Sequence, residues 1–156
     1  RLYQGVTGLF TDSEEETEES DVEEFMTFDR LGEKELKKAK EFLPGLYVPT
    51  YIPEGYELEQ LEIEKYYSGD YQCLYLYKRD TDMIKLSLLY SVHQDITYQF
   101  PEEGTLIELN DRKIFVSEDS VSDRNSVYVC TEDCTIDIMG DDSGENLLSI
   151  GENMKK

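Results

Sequence analysis

Short segments in which apolar and polar residues alternate, each closed by a turn signal, fill the chain from Tyr56 to Met139 and constrain its fold more than any other feature. Alternation with a period of two places the apolar side chains on one face of an extended strand. A slip in the alternation between Leu58 and Leu61 predicts a bulge in the first such segment. The pattern predicts seven strands, at residues 56–67, 71–78, 83–92, 105–109, 112–117, 125–131 and 133–139.

The connections between these segments favour antiparallel pairing. Residues 68–70, the pair Asn110 and Asp111, and residues 131–133 are short turn signals of the kind that close hairpins. Parallel neighbours would need crossovers of about a dozen residues or more. We therefore predict that the strands form a meandering antiparallel sheet.

Two segments with helical spacing flank the predicted strands. Residues 33–43 carry apolar side chains on one helical face and end before Pro44 and Gly45, which stop a helix. A second helix is expected after Asp142, which can cap it together with Glu145. We therefore predict an α+β fold, in which one preceding helix and one C-terminal helix pack on a sheet of about seven strands.

Acidic residues dominate the N-terminal segment. Residues 1–33 contain eleven acidic and two basic residues. The run from Asp12 to Glu24 repels itself and offers little apolar surface, as linkers do. We expect residues 1–33 to be an acidic linker or flexible N-terminal segment and residues 34–156 to form a single domain. Because the chain starts at Arg1 rather than Met, we also expect an upstream segment to have been removed.

The overall charge excludes two classes of partner. Asp and Glu number 36 against 15 Lys and Arg, so the formal net charge is −21. Binding to nucleic acid and attraction to an anionic membrane surface both depend on basic side chains, so we predict neither. No stretch of about 18 apolar residues occurs, so no part of this sequence is expected to span a bilayer.

The three cysteines leave two interpretations open. Cys130 and Cys134 flank a predicted hairpin turn, where two Cβ atoms can approach disulfide distance. They therefore form either a disulfide or two free strand thiols. Cys73 lies in an apolar run and is expected to be buried.

No motif in the sequence identifies a catalytic site. The single histidine, His93, follows a predicted strand, and no nucleophile motif such as Gly-x-Ser-x-Gly accompanies it. Neither a P-loop, nor a dinucleotide-binding fingerprint, nor a four-ligand zinc pattern occurs. We therefore predict no catalytic, cofactor-binding or metal-binding residues and no cofactor.

Tyrosines form a stripe on one predicted strand. The chain has 12 Tyr and no Trp, and Tyr71, Tyr75 and Tyr77 share one strand face. On an exposed sheet such a stripe forms an interaction face, because tyrosine gives a large contact area at low entropic cost. The favoured alternative is that the stripe packs beneath a helix or the N-terminal segment, since most aromatic stripes belong to cores.

The segment from Val48 to Leu58 resembles the start of a known domain family. Its pattern, P-x-Y-[IL]-P-E-G-[YF], is matched by Pro49, Pro53, Glu54, Gly55 and Tyr56 together with the residues between them. The chain is similar to a domain-of-unknown-function family, the extracytoplasmic C-terminal domain of membrane-anchored, anti-sigma-factor-like proteins of Gram-positive bacteria. It is more distantly similar to the C-terminal domain of MucB/RseB-type regulators. The resemblance covers about residues 44–154.

The resemblance implies both a location and a function. It implies a domain outside the cytoplasm, held by a membrane tether upstream of Arg1, in a compartment where a Cys130–Cys134 disulfide is stable. The implied function is that of a non-enzymatic sensory or interaction domain of a regulatory protein, whose partner is an unidentified protein or peptide. Two alternatives from other classes stay open: a small cell-surface hydrolase that uses His93, and an acidic cytosolic inhibitor that mimics nucleic acid.

Overall fold

An eight-stranded antiparallel sheet organises the chain in the computed structural model, which describes residues 21–92, 103–117 and 125–156. Two further strands of two residues each, β2 (Val48–Pro49) and β10 (Met154–Lys155), pair with each other. The strands of the large sheet are β1 (Val22–Phe28), β3 (Glu57–Tyr66), β4 (Tyr71–Arg79), β5 (Asp82–Tyr90), β6 (Gly104–Glu108), β7 (Lys113–Ser117), β8 (Asn125–Cys130) and β9 (Cys134–Gly140).

The strand order is β1-β3-β4-β5-β9-β8-β7-β6, and every neighbouring pair is antiparallel. Two meanders, from β3 to β5 and from β6 to β9, therefore meet where β5 pairs with β9, and β6 lies at the far edge. All seven predicted strands are present, with ends within two residues of the predicted ones. A register shift between Leu58 and Gln60 confirms the predicted bulge.

Both predicted helices are present, α1 at Glu33–Phe42 and α2 at Gly144–Glu152. The predicted cap of α2 is wrong in detail. Ser143 rather than Asp142 is the N-cap, and its side chain accepts a hydrogen bond from the Asn146 backbone N–H. Asp142 instead accepts hydrogen bonds from the Ser143 backbone N–H and the Asn146 side-chain amide. Neither described helix is long and apolar enough to cross a membrane.

The folded domain begins earlier than the sequence indicated. β1 lies inside residues 1–33, the segment assigned to a linker, and it pairs with β3 along its length. Met26 lies opposite Ile63 and Phe28 opposite Leu61, and both β1 side chains are half-buried. The predicted domain boundary is therefore wrong, because β1 packs Met26 and Phe28 on the sheet while its acidic residues stay in solvent.

Both helices pack on one face of the sheet, which we call the covered face. Phe42 of α1 meets Tyr71 of β4 edge-on, with ring centroids 6.0 Å apart, and α2 packs on β7, β8 and β9. The pairing of β2 with β10 joins the chain that follows α1 to the chain that follows α2. The core on this face is formed by fully buried side chains that include Leu61, Ile63, Tyr75, Ile84, Leu86, Leu88, Ile114, Ile136, Ile138, Leu147 and Ile150.

Candidate functional site

The strand register divides the side chains of the sheet between two faces. Successive side chains of a strand point to opposite faces, and residues directly opposed in neighbouring strands share a face. The second face, which we call the open face, therefore carries Leu74, Leu76, Leu89, Leu106, Tyr128 and Met139. Both described helices lie on the covered face, so neither of them covers the open face.

The predicted interaction face of Tyr71, Tyr75 and Tyr77 is wrong, because all three side chains lie on the covered face. Tyr75 is fully buried, and its hydroxyl donates a hydrogen bond to the carbonyl oxygen of Tyr47 at 2.7 Å. Tyr77 is buried and stacks on Tyr75, while Tyr71 packs against Phe42. The favoured alternative, packing beneath a helix, describes the stripe correctly, since α1 and the chain after it cover these strands.

Structural roles explain the residues that carry the family resemblance, which are Pro49, Pro53, Glu54, Gly55 and Tyr56. Pro49 lies in β2, and Pro53 is buried. Gly55 has a φ of 91°, a left-handed conformation that favours glycine. The Arg79 guanidinium lies 4.3 Å from the centroid of the Tyr56 ring and donates a hydrogen bond to the Glu54 carbonyl at 3.1 Å. This segment therefore holds the start of β3 against the end of β4.

The three cysteines are free thiols, so the disulfide interpretation of Cys130 and Cys134 is wrong. Cys130 lies opposite Thr135 in the pairing of β8 with β9, so the neighbouring Cys134 points to the other face of the sheet. Burial raises the pKa of Cys134 to about 12, and it also raises the pKa of Cys73. Both buried thiols are therefore protonated at neutral pH and are poor nucleophiles.

The described part of the chain does not test the two alternative functions. His93 lies outside the described residues, so the hydrolase interpretation stays a prediction. The interpretation as a nucleic-acid mimic also stays a prediction. Within residues 21–92, 103–117 and 125–156, no group of three or more His, Cys, Asp or Glu side chains is placed to hold a metal ion.

Exposed apolar side chains concentrate at one corner of the sheet, where β3 and β5 end and β1 and β4 begin. We call this group the edge patch, and its members, with exposed fractions of 64%, 71%, 41% and 54%, are Phe25, Tyr67, Leu89 and Val92. The other large apolar side chains exposed in the described ranges belong to the β6 edge, on the opposite side of the sheet: Leu106 and Leu109. Large apolar side chains exposed in one region of a surface are one mark of an interaction site.

Strand pairing brings two members of the edge patch into one row. Phe25 on β1 faces Glu64 on β3, Glu64 faces Gln72 on β4, and Gln72 faces Leu89 on β5. Since neighbouring strands are about 4.8 Å apart, Phe25 and Leu89 lie roughly 14 Å apart across the open face. The row is therefore wide enough to hold an extended segment of a partner.

The turn between β3 and β4 positions the other two members. The Tyr67 backbone N–H donates to the Asp21 carbonyl at 3.0 Å, which ties the turn to the start of β1. The Val92 backbone N–H donates to the Asp70 carboxylate at 3.0 Å. Gly69 has a φ of 96°, and a Cβ there would lie 3.2 Å from Val92 Cγ1. Backbone hydrogen bonds and a glycine turn therefore hold the apolar side chains in place.

A cleft lies beside two of these side chains and is lined mostly by polar residues. Together with Tyr67 and Leu89 it is lined by Asp21, Tyr66, Ser68, Asp70 and Gln72. The Tyr66 hydroxyl lies 2.6 Å from Gln72 Oε1 and 3.0 Å from Glu64 Oε1. The edge patch therefore combines apolar rings with carboxylate and amide oxygens.

A second cleft, beside the C-terminal residues, is occupied by ion pairs within the chain. Arg112 donates from Nε and Nη2 to the Asp111 carboxylate and from Nη1 to the Gly151 carbonyl at 2.9 Å. The hydrogen bond from Arg112 lowers the pKa of Asp111. Lys156 pairs with Asp133 at 3.0 Å. These cations fasten the end of α2 and the last residues to the hairpins, which is a structural role.

Sequence reasoning missed all four residues of the edge patch. A usable signal existed only for β1, where Met26 and Phe28 alternate with a polar residue inside the acidic run. The patch itself depends on which strands pair, and no local pattern contains that information.

Comparison with known proteins identifies no family for this chain. No protein-family model matches the chain, and no curated protein matches it. The family resemblance therefore depends on the motif in residues 49–56 and on the order of strands and the closing helix that follow it.

Proposed function

We propose that this chain is a non-enzymatic interaction domain that works outside the cytoplasm as part of a membrane-anchored regulatory protein. The edge patch is the observation that carries the proposal, because four large apolar side chains, between 41% and 71% exposed, lie at one corner of the sheet, and two of them, Tyr67 and Leu89, line a cleft together with polar residues. Surfaces of this composition bind protein partners. The location is supported by the resemblance of residues 49–56 to the extracytoplasmic family.

The place of the edge patch in the chain gives the proposal a mechanism. Asp21 lines the cleft, and residues 1–20 precede Asp21 in the chain. Under the proposal those residues connect the domain to its membrane tether. A partner bound at the patch lies against the junction of spacer and sheet, and so changes the access of a protease to the spacer.

A reporter fusion to the full-length protein tests the location. β-Lactamase fused after Lys156 protects cells from ampicillin only when it lies outside the cytoplasm, so we expect resistant cells. The same fusion without the segment upstream of Arg1 is the control, and we expect it to leave the cells sensitive. Sensitive cells that contain the intact full-length fusion on an immunoblot would contradict the proposed location.

Two double variants test the interaction. Phe25→Ser with Tyr67→Ser removes the two most exposed rings of the edge patch, whereas Leu106→Ser with Leu109→Ser removes two exposed apolar side chains at the opposite edge. We expect only the first pair to change the cleavage pattern of the full-length protein in cells, followed by immunoblot. The same pattern in both variants would count against a role for the patch.

A further inference from the structure

We propose that the edge patch binds a cationic segment of a partner protein, whose Arg or Lys side chains lie between the exposed rings and the neighbouring carboxylates. The inference rests on the proposed function and names the chemistry of the partner.

Negative charge lies around the edge patch. Asp21 and Asp70 line its cleft, and Glu64 lies directly opposite Phe25 on the open face. Lys65, the base on β3, already pairs with Glu23 at 3.7 Å. Lys78, the base on the open face of β4, is six residues from Gln72, which is about 20 Å along the strand.

Long cationic side chains fit both components of this surface. The faces of Phe25 and Tyr67 attract a cation that lies within about 6 Å of the ring. The aliphatic stem of Arg or Lys can lie along Leu89 and Val92. Asp70 uses Oδ1 for the Val92 backbone N–H, so its second oxygen can face the cation.

Other occupants fit this surface less well. A neutral apolar segment would remove these carboxylates from water without supplying a compensating positive charge, which is costly. An acidic segment would be repelled by a chain with a net charge of −21. The negative field instead attracts cationic segments and raises their rate of association.

The first experiment maps the binding of a defined peptide to the intact chain. Residues 1–156, labelled with ¹⁵N, are titrated with a short peptide of alternating Arg and Leu, and a peptide of alternating Gln and Leu serves as the control. We expect amide shifts at Phe25, Tyr67, Gly69 and Leu89 with the Arg peptide and weaker ones with the Gln peptide. Shifts spread over the whole acidic surface, or centred on Leu106, would overturn the proposal.

The second experiment compares matched variants with the same Arg peptide. We expect Phe25→Ser with Tyr67→Ser to weaken binding about tenfold and Leu106→Ser with Leu109→Ser to change it less than about twofold. Asp70→Asn keeps the acceptor for Val92 but loses the charge, so we expect binding about threefold weaker. Asp80→Asn, an exposed change in the β4–β5 turn, is its control.

The outcomes separate this inference from the proposed function. Dispersed amide spectra establish that each variant is folded, and the titration of the unaltered chain needs no variant. Equal binding by the two double variants, or equal affinity for the Gln and Arg peptides, would overturn the proposal that the partner is cationic. Altered cleavage of the Phe25→Ser, Tyr67→Ser protein in cells would then still support an interaction domain with another kind of partner. Cells that stay ampicillin-sensitive would count against the location alone.

Discussion

At the scale of single residues, Arg79 connects three separate parts of the chain. Its guanidinium covers the ring of Tyr56, pairs with Asp82 at 3.2 Å and lies 3.5 Å from the buried carboxylate of Asp142. Gly55 makes room for this side chain, because a Cβ at that position would lie 2.8 Å from Arg79 Cδ. The motif that resembles a known family is thus explained by packing and charge.

Gly55→Ala should destabilise the protein. The substitution forces a left-handed φ on an L side chain and displaces Arg79, so we expect the free energy of unfolding to fall by about 1–3 kcal/mol. Gly144→Ala is the control: Gly144 is the first residue of α2, and its nearest neighbour to a new Cβ is Val116 Cγ1 at 3.9 Å. Urea unfolding measures both, and equal midpoints for the two variants would contradict this account of Gly55.

At the scale of elements, β1 is the strand of the large sheet that was not predicted from the sequence. Its acidic residues resemble those of the preceding run, and strand pairing identifies Met26 and Phe28 as half-buried and Phe25 as exposed. The same strand therefore contributes to the core on one face and to the edge patch on the other.

Two substitutions in β1 should differ in their cost because they lie on different faces. Phe28→Ala removes a half-buried ring that lies opposite Leu61, so we expect a loss of about 1–3 kcal/mol. Phe25→Ala removes a ring that is 64% exposed, and surface changes of this kind cost less than about 0.5 kcal/mol. Urea unfolding of the intact chain compares them. Two equal losses, or none, would show that β1 is not part of the folded sheet.

Local patterns were sufficient to predict most elements but not their arrangement. The strands from β3 to β9 follow from alternation and turn signals, because both are properties of adjacent residues. The pairing of β5 with β9 joins residues about 50 positions apart, such as Leu88 with Ile136, and local rules carry no such information.

The second property that local patterns could not predict is the environment of each face of the sheet. Alternation placed Tyr75 and Tyr77 on one face, but it could not say that α1 would cover that face. The spacing of Cys130 and Cys134 placed both residues at one hairpin. The register of β8 with β9 shows that their side chains point to opposite faces of the sheet. Predicting the edge patch requires both the strand pairing and the face of each side chain, since its four residues come from three separate stretches of chain.

At the scale of the whole molecule, the core contains titratable groups that burial keeps protonated. Burial raises the pKa of Cys134 to about 12 and also raises the pKa values of Cys73, Tyr75 and Tyr90. These groups are neutral in the folded protein near neutral pH, where they act as ordinary packing side chains.

Stability should therefore fall at alkaline pH. Above the ordinary cysteine value of 9.0 the unfolded chain releases the Cys134 proton while the folded chain retains it, up to about pH 12. The unfolded state then binds fewer protons, so the free energy of unfolding decreases as pH rises. Urea unfolding at about pH 8 and about pH 10 measures this loss, which should be smaller in Cys134→Ala than in Cys130→Ala. Equal losses in the two variants would contradict the burial of that thiol.

The most direct test of the account places a photocrosslinker on the edge patch in the full-length protein in cells. Tyr67 is replaced by benzoylphenylalanine, and Leu106 at the opposite edge is replaced in a matched control. The account predicts a crosslinked adduct with a partner protein from position 67, lost when Phe25→Ser is added, and none from position 106. Adducts of equal yield from both positions, or no adduct from position 67, would contradict the claim that this domain works by binding through the edge patch.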